Sequence, residues 1–239
     1  MKQETPNVFL FDIEGTTTPI EFVHKVLFPY SDSNFLSFFR EQFPEERRFE
    51  EFKIASEKET EFDGPLEKNP ESLSRFCSYL VSKDRKLGAL KETQGKIWKR
   101  GYESGELKST IFSDVPRFLG KIRNAGKSAA VYSSGSVEAQ VLIFRYCEAG
   151  DLTPYFRSYF DTEVGGKREP QSYLAIADKL AVSPGKIVFF TDIKEEAEAA
   201  ISVGIRPFIM ERPGNLPQGS HQFPILRTFD DVPPDFIGT

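Results

Sequence analysis

The side chains best able to do chemistry in this chain are a carboxylate pair at Asp12 and Glu14, hydroxyls at Ser133 and Ser134, the ammonium of Lys167 and the carboxylate of Asp192. Asp12 closes a short apolar run, Asn7-Val8-Phe9-Leu10-Phe11. Another, Ile187-Val188-Phe189-Phe190, ends at Thr191-Asp192. Taken singly, each has a plainer explanation. Asp12 can be a polar strand end, and Asp192 precedes Glu195 in the Asp-x-x-Glu pattern of a capping box. Ser133 or Ser134 can cap the helix that follows. A lone loop lysine, as Lys167 is after Gly165-Gly166, is ordinarily a solvated charge. Together they describe one site. Two carboxylates on the same rim repel unless a hard cation lies between them, and Mg²⁺ accepts one or two carboxylates plus phosphate and water. A serine hydroxyl and the amides of a helix start bind phosphoryl oxygens, and a lysine neutralises the remaining charge. That combination is the chemistry of phosphoryl transfer.

Such convergence needs a parallel sheet, whose strands deliver their carboxyl ends to one rim. The pattern predicts one. Val8–Phe11, Ser128–Tyr132, Ile187–Phe190 and Phe208–Met210 read as buried strands, with a short one at Tyr159-Phe160. Helices are expected between them: one capped by Asp114 and ended by Gly126, one reaching Cys147, one over 171–181, and one over Glu195–Ile201. The proline-rich tail after Val232 reads as a loose surface end. Residues 20–106 show no convincing strand. Leu73, Phe76, Cys77, Leu80 and Val81 follow the spacing of one buried helix face, with Asn69 as cap and Pro70 at the first helical position. Phe35 to Phe43 forms a second, aromatic-rich segment. The fold expected is therefore α/β, a Rossmann-like parallel sheet with helices on both faces, plus an inserted all-helical cap. The core spans 1–17 and 108–239, and the cap spans 18–107.

Composition narrows the function. Lys+Arg number 31 against 36 Asp+Glu, a net charge of −5, so bulk electrostatics do not favour nucleic acid. The insert holds 15 basic and 17 acidic residues, so it is no polyanion grip either. Two cysteines, Cys77 and Cys147, give no disulfide framework and no zinc spacing; both read as small hydrophobes. His24 lies in an apolar helical pattern and is expected to be packed, and neither it nor His221 is a favoured base. Apolar runs of about four residues are far short of a membrane span. Without an apolar leader after Met1 the chain reads as cytoplasmic. The 23 phenylalanines point to bulky core packing or an apolar pocket.

Asp12-Ile13-Glu14-Gly15-Thr16, a serine after the second long strand, a later lysine and Asp192 after Phe189-Phe190 resemble, in order, the four motifs of the haloacid-dehalogenase-like superfamily. More narrowly, Asp12 to Ile20, Phe22-Val23, Leu27-Phe28-Pro29-Tyr30, Tyr132 to Gln140 and Arg212-Pro213-Gly214-Asn215 resemble the enolase-phosphatase (acireductone synthase) family of methionine salvage. The glutamate at position 14, where most of the superfamily has aspartate, is the specific mark. The resemblance spans nearly the whole chain and is weakest over about 40–90. It implies that Asp12 attacks phosphorus and binds one Mg²⁺ per subunit together with Asp192 and the backbone carbonyl of Glu14. The Glu14 side chain is then free for acid/base work. It also implies that Ser133 and Ser134 contact substrate and that Lys167 holds phosphoryl and enolate oxygens. The implied reaction enolises 2,3-diketo-5-methylthiopentyl-1-phosphate and dephosphorylates the enol to the acireductone. The implied enzyme is a monomer acting on a small phosphorylated diketone, with neither nucleic acid nor membrane as partner. A phosphatase for another small phosphoester and an inactive binding protein of the same fold are the alternatives; Glu14 argues against a metal-free dehalogenase.

Overall fold

The computed structural model describes residues 5–238. It contains a six-stranded sheet: β1 (Val8–Phe11), β2 (Ser128–Tyr132), β3 (Phe156–Phe160), β4 (Ile187–Thr191), β5 (Arg206–Met210) and β6 (Ile225–Leu226). The spatial order is β3-β2-β1-β4-β5-β6, and every neighbouring pair is parallel. The chain steps outward from β1 to β3 and returns to β4 on the other side of β1. The order therefore reverses between β1 and β4, where open parallel sheets place their chemistry.

All four residues of β1 are buried, as a strand covered on both faces requires. Alternation sends Val8 and Leu10 to one face and Phe9 and Phe11 to the other. On the first face they join Tyr132 and Phe189, together with Tyr173 and Ile176 from the helix Pro170–Lys179 and Ala200 from the helix Lys194–Ser202. On the second, Phe9, Phe11 and Phe190 meet Phe118 from the helix Val115–Asn124, and Phe11 and Phe190 also meet Phe229. Burying each such aromatic stabilises the sheet by about 1.5–3 kcal/mol. Much of the phenylalanine content is spent here.

Contacts divide the chain into two compact units, one of residues 1–22 with 108–239 and the other of Val23–Leu107. The first junction, expected after Thr17, thus falls after Phe22. The second unit is helical: Phe28–Glu41, Glu46–Ser56, Pro70–Ser82 and Gly88–Ser104. Phe35, Phe39, Phe52, Leu73, Phe76 and Cys77 fill its core. Asn69 caps as its sequence suggests, accepting from the Ser72 N–H at 2.8 Å. His24 is exposed, not packed, and meets Phe28 edge-on, with ring centroids 5.6 Å apart. Both cysteines are buried.

Other local expectations are also corrected. Asp114 stands at the start of its helix without capping it, because its backbone is already helical (φ −81°, ψ −22°) and its side chain is engaged elsewhere. Ser136, rather than Ser133 or Ser134, caps the helix Val137–Arg145. β3 begins at Phe156, and β6 is an additional short strand. The tail is anchored: Lys127 Nζ donates to the Phe236 carbonyl at 2.7 Å, and Phe236 packs edge-on against Phe208. Among the described residues, no helix is long and apolar enough to cross a membrane.

Candidate active site

Beyond β1 the backbone keeps one more ladder bond, from the Asp12 N–H to the Phe190 carbonyl at 2.9 Å, and then turns sharply. The amides of Thr16, Thr17 and Thr18 all converge on the Ile13 carbonyl, and the Gly15 N–H reaches the Thr18 carbonyl at 2.8 Å. Gly15 is demanded twice over. Its φ is +68°, a left-handed value that L side chains rarely adopt, and a Cβ there would lie 2.4 Å from Asp192 Oδ2. The loop after β1 therefore presses its backbone against the carboxylate at the end of β4.

Lys167 organises the charge. Its Nζ lies 2.7 Å from Asp12 Oδ1 and 2.7 Å from Glu196 Oε2, with all three side chains about nine-tenths buried or more. Asp12 Oδ1 also accepts from the Ile13 N–H at 2.7 Å, so two donors fix the rotation of this carboxylate. Glu196 is held in turn by the Thr191 hydroxyl at 2.6 Å. The loop bearing Lys167 is pinned through three consecutive carbonyls. The Tyr132 hydroxyl donates to Gly165, the Ser172 hydroxyl to Gly166 and the Tyr173 hydroxyl to Lys167, at 2.9, 2.8 and 2.7 Å. An ammonium on a flexible stem is thereby delivered to a fixed point.

Burial pushes the Asp12 carboxyl up, and the Lys167 ammonium only partly pulls it back. Burial likewise raises Glu196. Asp192 is pushed up to about 8, first by burial and then by the negative charge of Asp12. Burial works against the Lys167 ammonium, yet its attraction to Asp12 and Glu196 carries it above the ordinary lysine range. Burial is the main cause of each carboxyl rise, with the charges of Asp12, Glu14 and Glu196 adding to it, and a bound cation would favour the charged carboxylates. Among the described residues no three His, Cys, Asp or Glu side chains group as a metal cluster. Two carboxylates with backbone, water and phosphate oxygens remain, a donor set that fits a hard divalent cation.

Of the expected residues, the structure brings Asp12 and Lys167 into direct contact and sets Asp192 against Gly15 in the same loop. Glu14 is half-buried beside them, and its charge adds to the rise at Asp12. Ser133 is buried one residue past the end of β2, the neighbour of β1, with its N–H on the Phe160 carbonyl at 3.1 Å. Ser134 is exposed on the same loop. The capping box at Asp192 does not form, since Ile193 occupies the cap position and no side chain caps it. Glu196 escaped the sequence reading because it sits among the acids of an alanine-rich helix. Its spacing, four residues after Asp192, is the signal that could have found it.

The haloacid dehalogenase-like hydrolase family model matches residues 6–204. Enolase-phosphatase E1 of Leptospira borgpetersenii is 55% identical over 95% of this chain and 98% of its own. Enolase-phosphatase E1 of Drosophila persimilis is 44% identical over 90% and 88%. Among solved structures, the UTR4 protein of Saccharomyces cerevisiae superposes with a TM-score of 0.75 at 32% identity, covering 94% of this chain and 99% of that one. The CbbY protein of Rhodobacter sphaeroides shares the fold at a TM-score of 0.62 and 15% identity. On these matches the chain belongs to the haloacid dehalogenase-like hydrolases and, within them, to the enolase-phosphatases.

Proposed function

We propose that this phosphatase converts 2,3-diketo-5-methylthiopentyl-1-phosphate to the acireductone 1,2-dihydroxy-3-keto-5-methylthiopentene and inorganic phosphate, as the enolase-phosphatase of methionine salvage. The observation that carries this is the buried Asp12–Lys167 contact with Asp192 beside the same loop, in a chain 55% identical to a protein of that name. Asp12, Asp192 and the Glu14 carbonyl are the proposed holders of one Mg²⁺. When bound, the cation supplies positive charge for the phosphoryl and enolate oxygens.

Asp12 attacks phosphorus to form an acyl phosphate, while Glu14 donates a proton to the departing enol oxygen. Glu14 then takes a proton from water, which attacks phosphorus and frees Asp12. Lys167 holds charge on the phosphoryl group throughout, and Ser133 and Ser134 bind its oxygens. Before that, the enol is formed in the same place: a proton leaves C1 and the C2 carbonyl oxygen gains one, so that step also builds charge on oxygen. The helical unit 23–107 is proposed to act as the cap that sets substrate choice, and the enzyme as a monomer of the cytoplasm. Supplying the diketo phosphate with Mg²⁺ should produce enol absorbance and free phosphate together. Phosphate released from simple esters but not from the diketone would assign the site to another phosphoester.

A further inference from the structure

The segment Arg212-Pro213-Gly214-Asn215 follows β5 and reaches back to the nucleophile loop with two side chains. Nδ2 of Asn215 donates to the Gly15 carbonyl at 2.8 Å and to the Met210 carbonyl at 2.9 Å. Nε of Arg212 donates to the Thr16 carbonyl at 3.2 Å, and its Nη1 to the Arg227 carbonyl at 3.0 Å. Two consecutive carbonyls just after Glu14 are therefore held from a different strand end. Because Nδ2 serves two carbonyls, the orientation of the amide is settled. Asn215 Oδ1 is then buried on the opposite side, without a hydrogen-bond partner. It lies 2.9 Å from the point where a Cβ on Gly15 would stand, and Asp192 Oδ2 lies 2.4 Å from that same point.

Arg212 is itself fixed. It is buried, paired with Asp114 at 2.8 Å, and its guanidinium lies 4.5 Å from the ring centre of Phe112 and 4.9 Å from that of Phe229. Asp114 Oδ2 also accepts from the Phe229 N–H at 2.6 Å. A buried ion pair is a poor device for stability alone, since its desolvation cost rivals its attraction. What this one provides is a rigid, planar donor aimed at a loop carbonyl.

We propose that Arg212 and Asn215 are positioning residues for the reaction, a two-pronged clamp on the Gly15 and Thr16 carbonyls that fixes the Glu14 peptide. That peptide is bracketed by the Ile13 carbonyl, which takes three loop amides, and by the clamped Gly15 carbonyl. The consequence for catalysis rests on the Glu14 carbonyl being a cation ligand, as proposed above. The clamp does not. Neither side chain is assigned to the substrate, so releasing the clamp lowers cation affinity and kcat while the KM for phosphoester at saturating cation stays near wild type.

The test is Asn215→Ala in the full chain, with Asn215→Asp as a variant of equal size that lacks the donor. Hydrogen–deuterium exchange of cation-free protein should quicken in the peptide covering Ile13–Thr18 and stay unchanged in β2. Titration calorimetry should show the Mg²⁺ dissociation constant rising roughly 10–100-fold, the scale seen when partners behind a metal ligand are removed. Wild-type exchange rates in that peptide in both variants would overturn the clamp, whatever the cation does. Faster exchange with an unchanged Mg²⁺ dissociation constant would overturn its link to Glu14. If wild-type protein binds no divalent cation, the metal assignment fails instead, and exchange alone decides the clamp.

Discussion

The ammonium of Lys167 lies 2.7 Å from Oδ1 of Asp12, with both groups buried beyond the carboxyl end of β1. The contact is asymmetric in its consequences. Removing the lysine leaves two buried carboxylates, Asp12 and Glu196, without their cation. Replacing Lys167 with Met should therefore destabilise the fold by about 3–5 kcal/mol and lower kcat by ~10²–10³-fold. Thermal denaturation and steady-state kinetics check the two effects separately. Wild-type turnover in a folded Lys167→Met protein would remove the lysine from the chemistry.

Glu196 touches Lys167 and also places negative charge near Asp192. Glu196→Gln keeps the shape and removes the charge that raises the ammonium, so the lysine should titrate at lower pH than in wild type. Activity should fall roughly tenfold, the lower end for groups standing behind a working residue, and the alkaline limb of the kcat profile should move to lower pH. An unchanged alkaline limb would show that Glu196 serves only to pack its helix.

Gly15 and Gly126 form a matched pair. Their φ values are +68° and +69°, but a Cβ at Gly15 meets Asp192 at 2.4 Å whereas one at Gly126 meets nothing within 4 Å. Gly126→Ala should cost only the left-handed strain, about 1–2 kcal/mol, and leave kcat intact. Gly15→Ala should carry the same strain and also displace Asp192 or the loop, abolishing turnover. Equal activity in the two variants would show that the close approach of loop and carboxylate does not matter.

Asp192 predicts a pH effect of definite sign. Its carboxyl is pushed up to about 8 in the folded protein, against ~4 in an unfolded chain. Between those values the folded, cation-free protein holds a proton that the unfolded chain has lost, so stability falls as pH rises through that window. A divalent cation needs the carboxylate, so binding at pH 7 should release protons. Melting temperatures in chelator should drop from pH 5.5 to pH 8, and added Mg²⁺ should raise them more at pH 8. Calorimetry in buffers of different ionisation enthalpy should count the released protons. Proton uptake, or a larger Mg²⁺ effect at pH 5.5, would contradict the assignment.

β1 and β4 were legible because they are continuous apolar runs ending in acids, whereas β3, interrupted by Arg157 and Ser158, was legible only at its end and the two-residue β6 not at all. Asp12 and Asp192 could be found that way. The caps were less legible where a side chain had a better tertiary partner. Asp114 looks like a cap but pairs with Arg212, nearly a hundred positions away, and Ser136 caps where Ser133 or Ser134 seemed as suitable. The tail looked loose because nothing local shows that Phe236 packs on Phe208. Glu196 and the donors of Arg212 and Asn215 act through distant backbone carbonyls or a distant lysine. No sequence periodicity marks such contacts.

Asp12 is proposed to become phosphorylated, and Glu14 to serve the hydrolysis of the resulting acyl phosphate. Glu14→Gln leaves the backbone carbonyl in place but cannot take a proton from water, so hydrolysis should slow by ~10²–10⁴-fold. With Mg²⁺ and an activated aryl phosphate, whose leaving group needs little protonation, the variant should accumulate phosphoenzyme. Mass spectrometry of the quenched reaction should then find one phosphate on the peptide containing Asp12, and none in the Asp12→Asn, Glu14→Gln double variant. Near-normal phosphate release by Glu14→Gln with metal bound, or an adduct on any other residue, would contradict the account.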